Sequence, residues 1–150
     1  MARYTVTAAV ALSAATAKTA VRINLGSLRK GVLKRVSVTD KLAASTDAGI
    51  DMRVMTAGTD GTGTGATPNP LGGASAANAT AKINYTIEPT GSPVEVFKDA
   101  CPAGATREWD FEQLDRYIEV AASGALAIEL TAAQLRGASG VVVVLEYEEK

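Results

Sequence analysis

"GVVVVLEYEE", residues 140–149, decides the fold class. Val141, Val143, Leu145 and Tyr147 fall on one side of a two-residue repeat. A period of two sends alternate side chains to opposite faces of a strand, and β-branched valines suit a pleated, half-buried surface. A strand with one apolar face needs further strands to bury it, and the same period recurs along most of the chain.

"TVTAAVAL" alternates Val6, Val10 and Leu12 against Thr5, Thr7 and Ala11. "TAVRINL" sets Val21, Ile23 and Leu25 against Arg22 and Asn24. "GVLKRVSVTD" sets Val32, Val36 and Val38 opposite Leu33, Arg35 and Ser37, with Lys34 interrupting the apolar face. "GIDMRVMTAG" alternates Ile50, Met52 and Val54 against Asp51 and Arg53. "KINYTIEPT" aligns Ile83, Tyr85 and Ile87, "PVEVFKD" follows a Gly-Ser-Pro turn, and "REWDFE" pairs Trp109 with Phe111. "RYIEVAASGALAIEL" reads as a hairpin turning at Ala122, Ser123 and Gly124. Helix signals are confined to single turns in "DFEQLDR" and in "TAAQLRGAS", the latter running from Thr131 to a stop at Gly137.

The expectation is therefore one all-β domain over residues 1–150, an antiparallel β-sandwich of about eight strands with a core of Val, Ile, Leu and Ala. The Ala-rich opening has the outline of a secretory signal, with Ala15-Thr16-Ala17 at an A-x-A position, but its middle is poor in Leu and Phe. Its alternation reads as a first strand.

Composition narrows the chemistry. A formal net charge of −1 gives no general attraction to nucleic acid or an anionic membrane, and no apolar run is long enough for a spanning helix. The chain has no histidine, which removes Ser-His-Asp and Cys-His sets and the commonest zinc ligand. Cys101, the one cysteine, can close no intramolecular disulfide and reads as a small, partly buried thiol. Asp110, Glu112 and Asp115 flank Trp109 and are the acids a glycosidase pair would draw on, but they read equally as a solvated edge or turn. Glu146, Glu148 and Glu149 read as a charged chain end that aids solubility or protects an edge. Asn78-Ala-Thr and Asn84-Tyr-Thr are glycosylation sequons with no firm secretory context.

"AGTDGTGTGATPNPLGG", residues 57–73, fails as a phosphate cradle. No Lys follows its glycines before Lys82, Pro68 and Pro70 forbid the helix that a dinucleotide fingerprint opens, and Asp60 alone offers a calcium ligand. It reads instead as an extended arm, ordered on contact with a neighbour through Thr59, Asp60, Thr62, Thr64, Pro68, Asn69 and Pro70. On that reading its removal leaves the fold intact. A second candidate contact is basic: Arg29, Lys30, Lys34 and Arg35 in "SLRKGVLKR" meet an acidic protein surface or phosphate, unless they form a solvated turn and strand edge.

The order of "AATAKTAVRINLG", "LKRVSVTD", "MRVMTAGTDGTGTGATPNPL", "NATAKINYTIEPTG" and "VVVVLEYEE" resembles the capsid decoration (cement) and related small head proteins of tailed bacteriophages. The resemblance runs over residues 14–149 and rests on segment order. Its most specific pieces are residues 14–19, Thr56-Ala57-Gly58-Thr59, residues 87–91 and the acidic end. The segment around Cys101 and "WDFEQLDRY" do not follow the pattern. The resemblance implies a sandwich, often jelly-roll-like, seated on the outer surface of the assembled virion shell. It also implies the major capsid protein as partner, a homo-trimer about local three-fold axes, and neither enzyme activity nor a cofactor. The alternative is a glycan- or receptor-binding sandwich of the fibre or adhesin kind, for which Trp109 is the single indole platform.

Overall fold

The computed structural model describes residues 1–41 and 47–150. Two antiparallel sheets pack face to face, formed by β1 (Ala2–Leu12), β2 (Lys18–Asn24), β3 (Gly31–Asp40), β4 (Ile50–Thr56), β5 (Thr62–Ala66), β6 (Asn69–Leu71), β7 (Thr80–Ile87), β8 (Val94–Cys101), β9 (Thr106–Asp110), β10 (Glu119–Val120), β11 (Ala125–Ala132) and β12 (Arg136–Glu149). The first sheet runs β10-β3-β12-β1-β6, with β9 also on β3; the second runs β5-β7-β2-β11-β4-β8. More strands form than alternation alone marks out, because β5 and β6 lie in Gly- and Pro-rich segments that carry no period of two.

The longest strand, β12, sits between β1 and β3. Its Val141, Val143, Leu145 and Tyr147 are buried, as are Tyr4, Val6, Ala8, Val10 and Leu12 of β1. Opposite them lie Ile23 of β2, Leu126, Ile128 and Leu130 of β11, and Ile50, Met52 and Val54 of β4, which complete one continuous core. Fully burying each such aliphatic side chain contributes roughly 1.5–3 kcal/mol, so the core accounts for the order of the two layers.

Four sequence expectations are corrected. Lys34 does not interrupt the core face: Glu146 pairs with Arg35 and Tyr147 with Leu33, so Lys34 is the extra residue of a β-bulge. The bulge shifts the phase of β3 and puts Leu33 in the core beside Val36 and Val38. Residues 117–130 are not a hairpin either. The turn at Ser123 and Gly124 forms, with Gly124 N donating to Ala121 O at 3.0 Å, but β10 then pairs with β3 while β11 pairs with β2 and β4. The turn carries the chain from one sheet to the other. Thr131 does not open a helical turn, since Thr131 and Ala132 pair with Asp51 and Ile50 and Arg136 begins β12. Ile83, Tyr85 and Ile87 do not share one buried face: Asn84, at a left-handed φ of 51°, separates Ile83, which packs on the core, from Tyr85, which is buried with its hydroxyl on Asp60, and Ile87 is exposed. The turn in "DFEQLDR" does form, with Leu114 N donating to Asp110 O at 3.0 Å.

Candidate functional site

The two segments singled out as contact sites have most of their polar groups engaged within the chain. Lys34, placed on the bulge, sends Nζ to Glu112 Oε1 at 2.7 Å and to Glu148 Oε2 at 3.3 Å. The Glu112 hydrogen bond, set against burial, holds the Lys34 ammonium above its ordinary pKa, and Lys34 in turn holds the Glu112 carboxyl below its own. Arg35 meets Glu146 at 2.7 Å and Glu108 at 3.4 Å, and Lys30 meets Glu119 at 3.2 Å. Arg3 of β1 reaches Glu112, Glu146 and Glu148. The basic cluster and the acidic end thus neutralise one another across three strands. Of the four basic residues, Arg29 alone has no carboxylate within 4 Å among the described residues.

This also corrects the reading of the acidic end as a charged end that aids solubility or protects an edge. Glu146, Glu148 and Glu149 are buried, and Glu149 accepts from the backbone N–H groups of Asn78 and Ala79 at 3.0 and 2.9 Å. Alternation cannot reveal this, because the paired cations come from β1 and β3.

The Gly-rich segment is not a free arm. Thr59 N donates to Thr90 O at 2.7 Å and Thr90 N returns a bond of 3.0 Å. Asp60 accepts from Tyr85 Oη at 2.8 Å and Asn24 Nδ2 at 3.0 Å, and pairs with Lys82 Nζ at 2.7 Å. Burial opposes the Asp60 charge, but Lys82 and Tyr85 outweigh it and keep the carboxyl below its ordinary pKa. Arg22, buried on the back of β2, donates to Ala57 O at 3.0 Å and Gly58 O at 2.9 Å. Thr62 and Thr64 then ride on β7 within β5, while Asn69 and Pro70 lie in β6 along Thr5 and Tyr4 of β1. The segment therefore crosses from the edge of one sheet to the edge of the other. Its glycines permit close approach: a Cβ on Gly61 would strike the Ile87 carbonyl oxygen, and one on Gly63 would lie 2.9 Å from Ile83 O. Thr59, Thr62, Thr64, Asn69 and Pro70 remain exposed, Asp60 is half-buried and Pro68 is buried.

What is left open is the outer face of the first sheet. Register sets three rows across its strands. Thr5, Glu146, Arg35 and Asp110 form the charged row that joins the ion network. The next is Thr7, Val144, Ser37 and Glu108; the third is Ala9, Val142, Thr39 and Thr106. Apart from Glu108 these two rows carry no charge, and all their positions are exposed or half-exposed. The threonines close the far end, Thr39 and Thr106 hydroxyls lying 3.0 Å apart. These residues were missed as site candidates, although the signal is legible: no charged residue stands between Arg3 and Lys18.

The remaining chemical candidates are held in structural roles. Trp109 is buried and donates Nε1–H to Asp99 Oδ2 at 3.0 Å, so the one indole offers no exposed sugar platform. That bond, against burial, also keeps Asp99 below its ordinary pKa. Asp110 Oδ1 accepts from Glu112 N and Gln113 N at 3.0 and 3.2 Å and so caps the turn after β9. Glu112, kept ionised, is poorly suited to donate a proton near neutrality. No group of three or more His, Cys, Asp or Glu that could hold a metal occurs among the described residues.

Cys101 is buried at the end of β8, and burial raises its thiol pKa. A thiol-reactive probe is expected to leave it unmodified in the native protein and to label it promptly in denaturant. Prompt labelling under native conditions would contradict the packing described here.

The fold and these surfaces define an all-β sandwich with two nearly uncharged rows on the outer face of one sheet. No protein-family model, no curated protein and no solved structure matches the chain.

Proposed function

We propose that the chain is a virion structural protein that binds the outer surface of an assembled bacteriophage head and stabilises it as a decoration, or cement, protein. The supporting observation is the pair of nearly uncharged rows on the outer face of the first sheet, at Thr7, Val144 and Ser37 and at Ala9, Val142 and Thr39. Such a face can be covered without stripping water from ions, so desolvation is cheap where a partner lies flat on it. Elsewhere on the surface Arg29, Thr62, Thr64, Asn69 and Pro70 are exposed and open to further contacts with the major capsid protein. The order of sequence segments supports the same class.

The mechanism is mass action. A protein that binds only the assembled shell stabilises it by about 2.7 kcal/mol per site at a hundredfold excess over its dissociation constant. A rigid sandwich suits this, because little conformational entropy is lost on docking. Capsids prepared without the chain are expected to disrupt at a lower temperature than the same capsids after adding it back. Equal disruption temperatures under saturating chain would remove the cement role.

A further inference from the structure

We infer that two copies of this chain pair edge to edge through β1, in antiparallel register about Ala9, so that the first sheets of both copies join into one. On one side β1 is paired with β12 over most of its length. On its other side only Arg3, Tyr4 and Thr5 have partners among the described residues, in β6. Residues 6–12 therefore present a row of unpaired backbone N–H and C=O groups, and such a row is a template for another strand.

The other edges are blunted in the ways that suppress pairing. β5 carries Gly63 and Gly65 and runs into Pro68, and β6 is three residues long with Pro70 at its centre. β8 presents Glu95, Lys98 and Asp99, β9 presents Arg107, Glu108 and Asp110, and β10 is two residues long. Residues 6–12 have no charge, no proline and no glycine. That stretch alone keeps an unguarded edge of useful length among the described strands.

The occupant follows from what lies beneath this edge. Val6, Ala8, Val10 and Leu12 are already buried in their own core, so the edge is not a groove awaiting a foreign side chain. It calls for a strand that supplies backbone pairing and brings a finished core of its own, and a second copy does both. An antiparallel edge is complementary to itself about a two-fold axis. The register that uses the whole free stretch sets Val6 opposite Leu12, Thr7 opposite Ala11, Ala8 opposite Val10 and Ala9 opposite its own counterpart. Arg3 and Lys18 fall outside it, so no like charges meet. The chain also clears the neighbour's β6: after Leu12 it leaves the edge, with Ala14 bridging Ala132 and Ala15 at a φ of 56°. The joined sheet would carry the uncharged rows of both copies as one flat surface.

The test uses the purified full chain, so its failure is separable from failure of the shell-binding reading. By sedimentation equilibrium the chain is expected to associate, and Ala9→Lys to halve the assembly mass with an unchanged circular dichroism spectrum. Ala9→Glu should do the same, and an equimolar mixture of the two variants should recover the original mass, since position 9 faces itself. Ala9→Cys should cross-link copies in pairs under mild oxidant, with buried Cys101 uninvolved. A monomeric wild-type chain would overturn the pairing. So would an Ala9→Lys variant of unchanged mass, a mixture that stays dissociated, or an Ala9→Cys variant that does not cross-link.

Discussion

Arg136→Met is expected to cost about 3–5 kcal/mol of stability, the largest effect of any single substitution outside the apolar core. Arg136 opens β12 and Asp40 closes β3, and both side chains are 0 % exposed. The guanidinium makes a forked contact, Nε to Asp40 Oδ1 at 3.0 Å and Nη2 to Oδ2 at 3.0 Å. Nη2 also donates to Ala48 O at 2.9 Å and Nη1 to Gln134 O at 3.3 Å. Removing the arginine strands a buried carboxylate whose only other donor among the described residues is Gly104 N, at 3.4 Å. The cost arises from that orphaned charge more than from the lost attraction, because burying an ion pair is itself expensive. The double variant Arg136→Met/Asp40→Leu is therefore expected to recover most of the loss, with urea midpoints as the readout. A double variant as unstable as the single one would mean that the pair holds the strand ends together rather than satisfying its own charges.

Deleting residues 59–71 is expected to unfold the protein or to lower its stability by more than about 3 kcal/mol, opposite to what a detachable arm would do. The deletion uncovers the edge of β7 and the first residues of β1 at once. It also removes the carboxylate of Asp60, leaving the buried Tyr85 hydroxyl without its acceptor and Lys82 and Arg22 without their counter-ion. The stranded Tyr85 hydroxyl costs about 1–3 kcal/mol, and the lost pairing along β7 and β1 adds to it. A narrower variant, Gly61→Ala, drives a methyl into the Ile87 carbonyl and is expected to cost about 1–3 kcal/mol through displacement of β5 from β7. Thermal unfolding followed by circular dichroism reads both. A deletion variant that melts like the parent would restore the arm.

The contrast shows where sequence reasoning worked. Alternation found the core strands because burial on one face is a local pattern: Ile50, Met52 and Val54, or Val141, Val143 and Leu145, announce themselves without knowledge of their neighbours. It failed where a residue's role is set by a distant strand. Lys34 looked like a polar error in an apolar face, and only the two-against-one pairing with β12 shows it to be a bulge. Glu146 and Glu148 looked like a solubilising or edge-protecting chain end because Arg3, Lys34 and Arg35 are remote in sequence. The Gly-rich segment looked unstructured because its strands derive from close backbone contact with β7 and β1, which Gly and Pro allow and no side-chain period encodes. The open edge at residues 6–12 was hidden in a strand correctly assigned, since pairing on one side says nothing of the other.

The central claim is that this sandwich recognises an assembled shell, and cosedimentation tests it most directly. Purified chain is to be titrated against capsids prepared without it and, in parallel, against the unassembled capsid protein. The expected result is uptake that saturates at a fixed number of copies per capsid, with no binding to the unassembled subunits. Absence of uptake, or uptake that rises without a plateau and equally onto free subunits, would contradict the account.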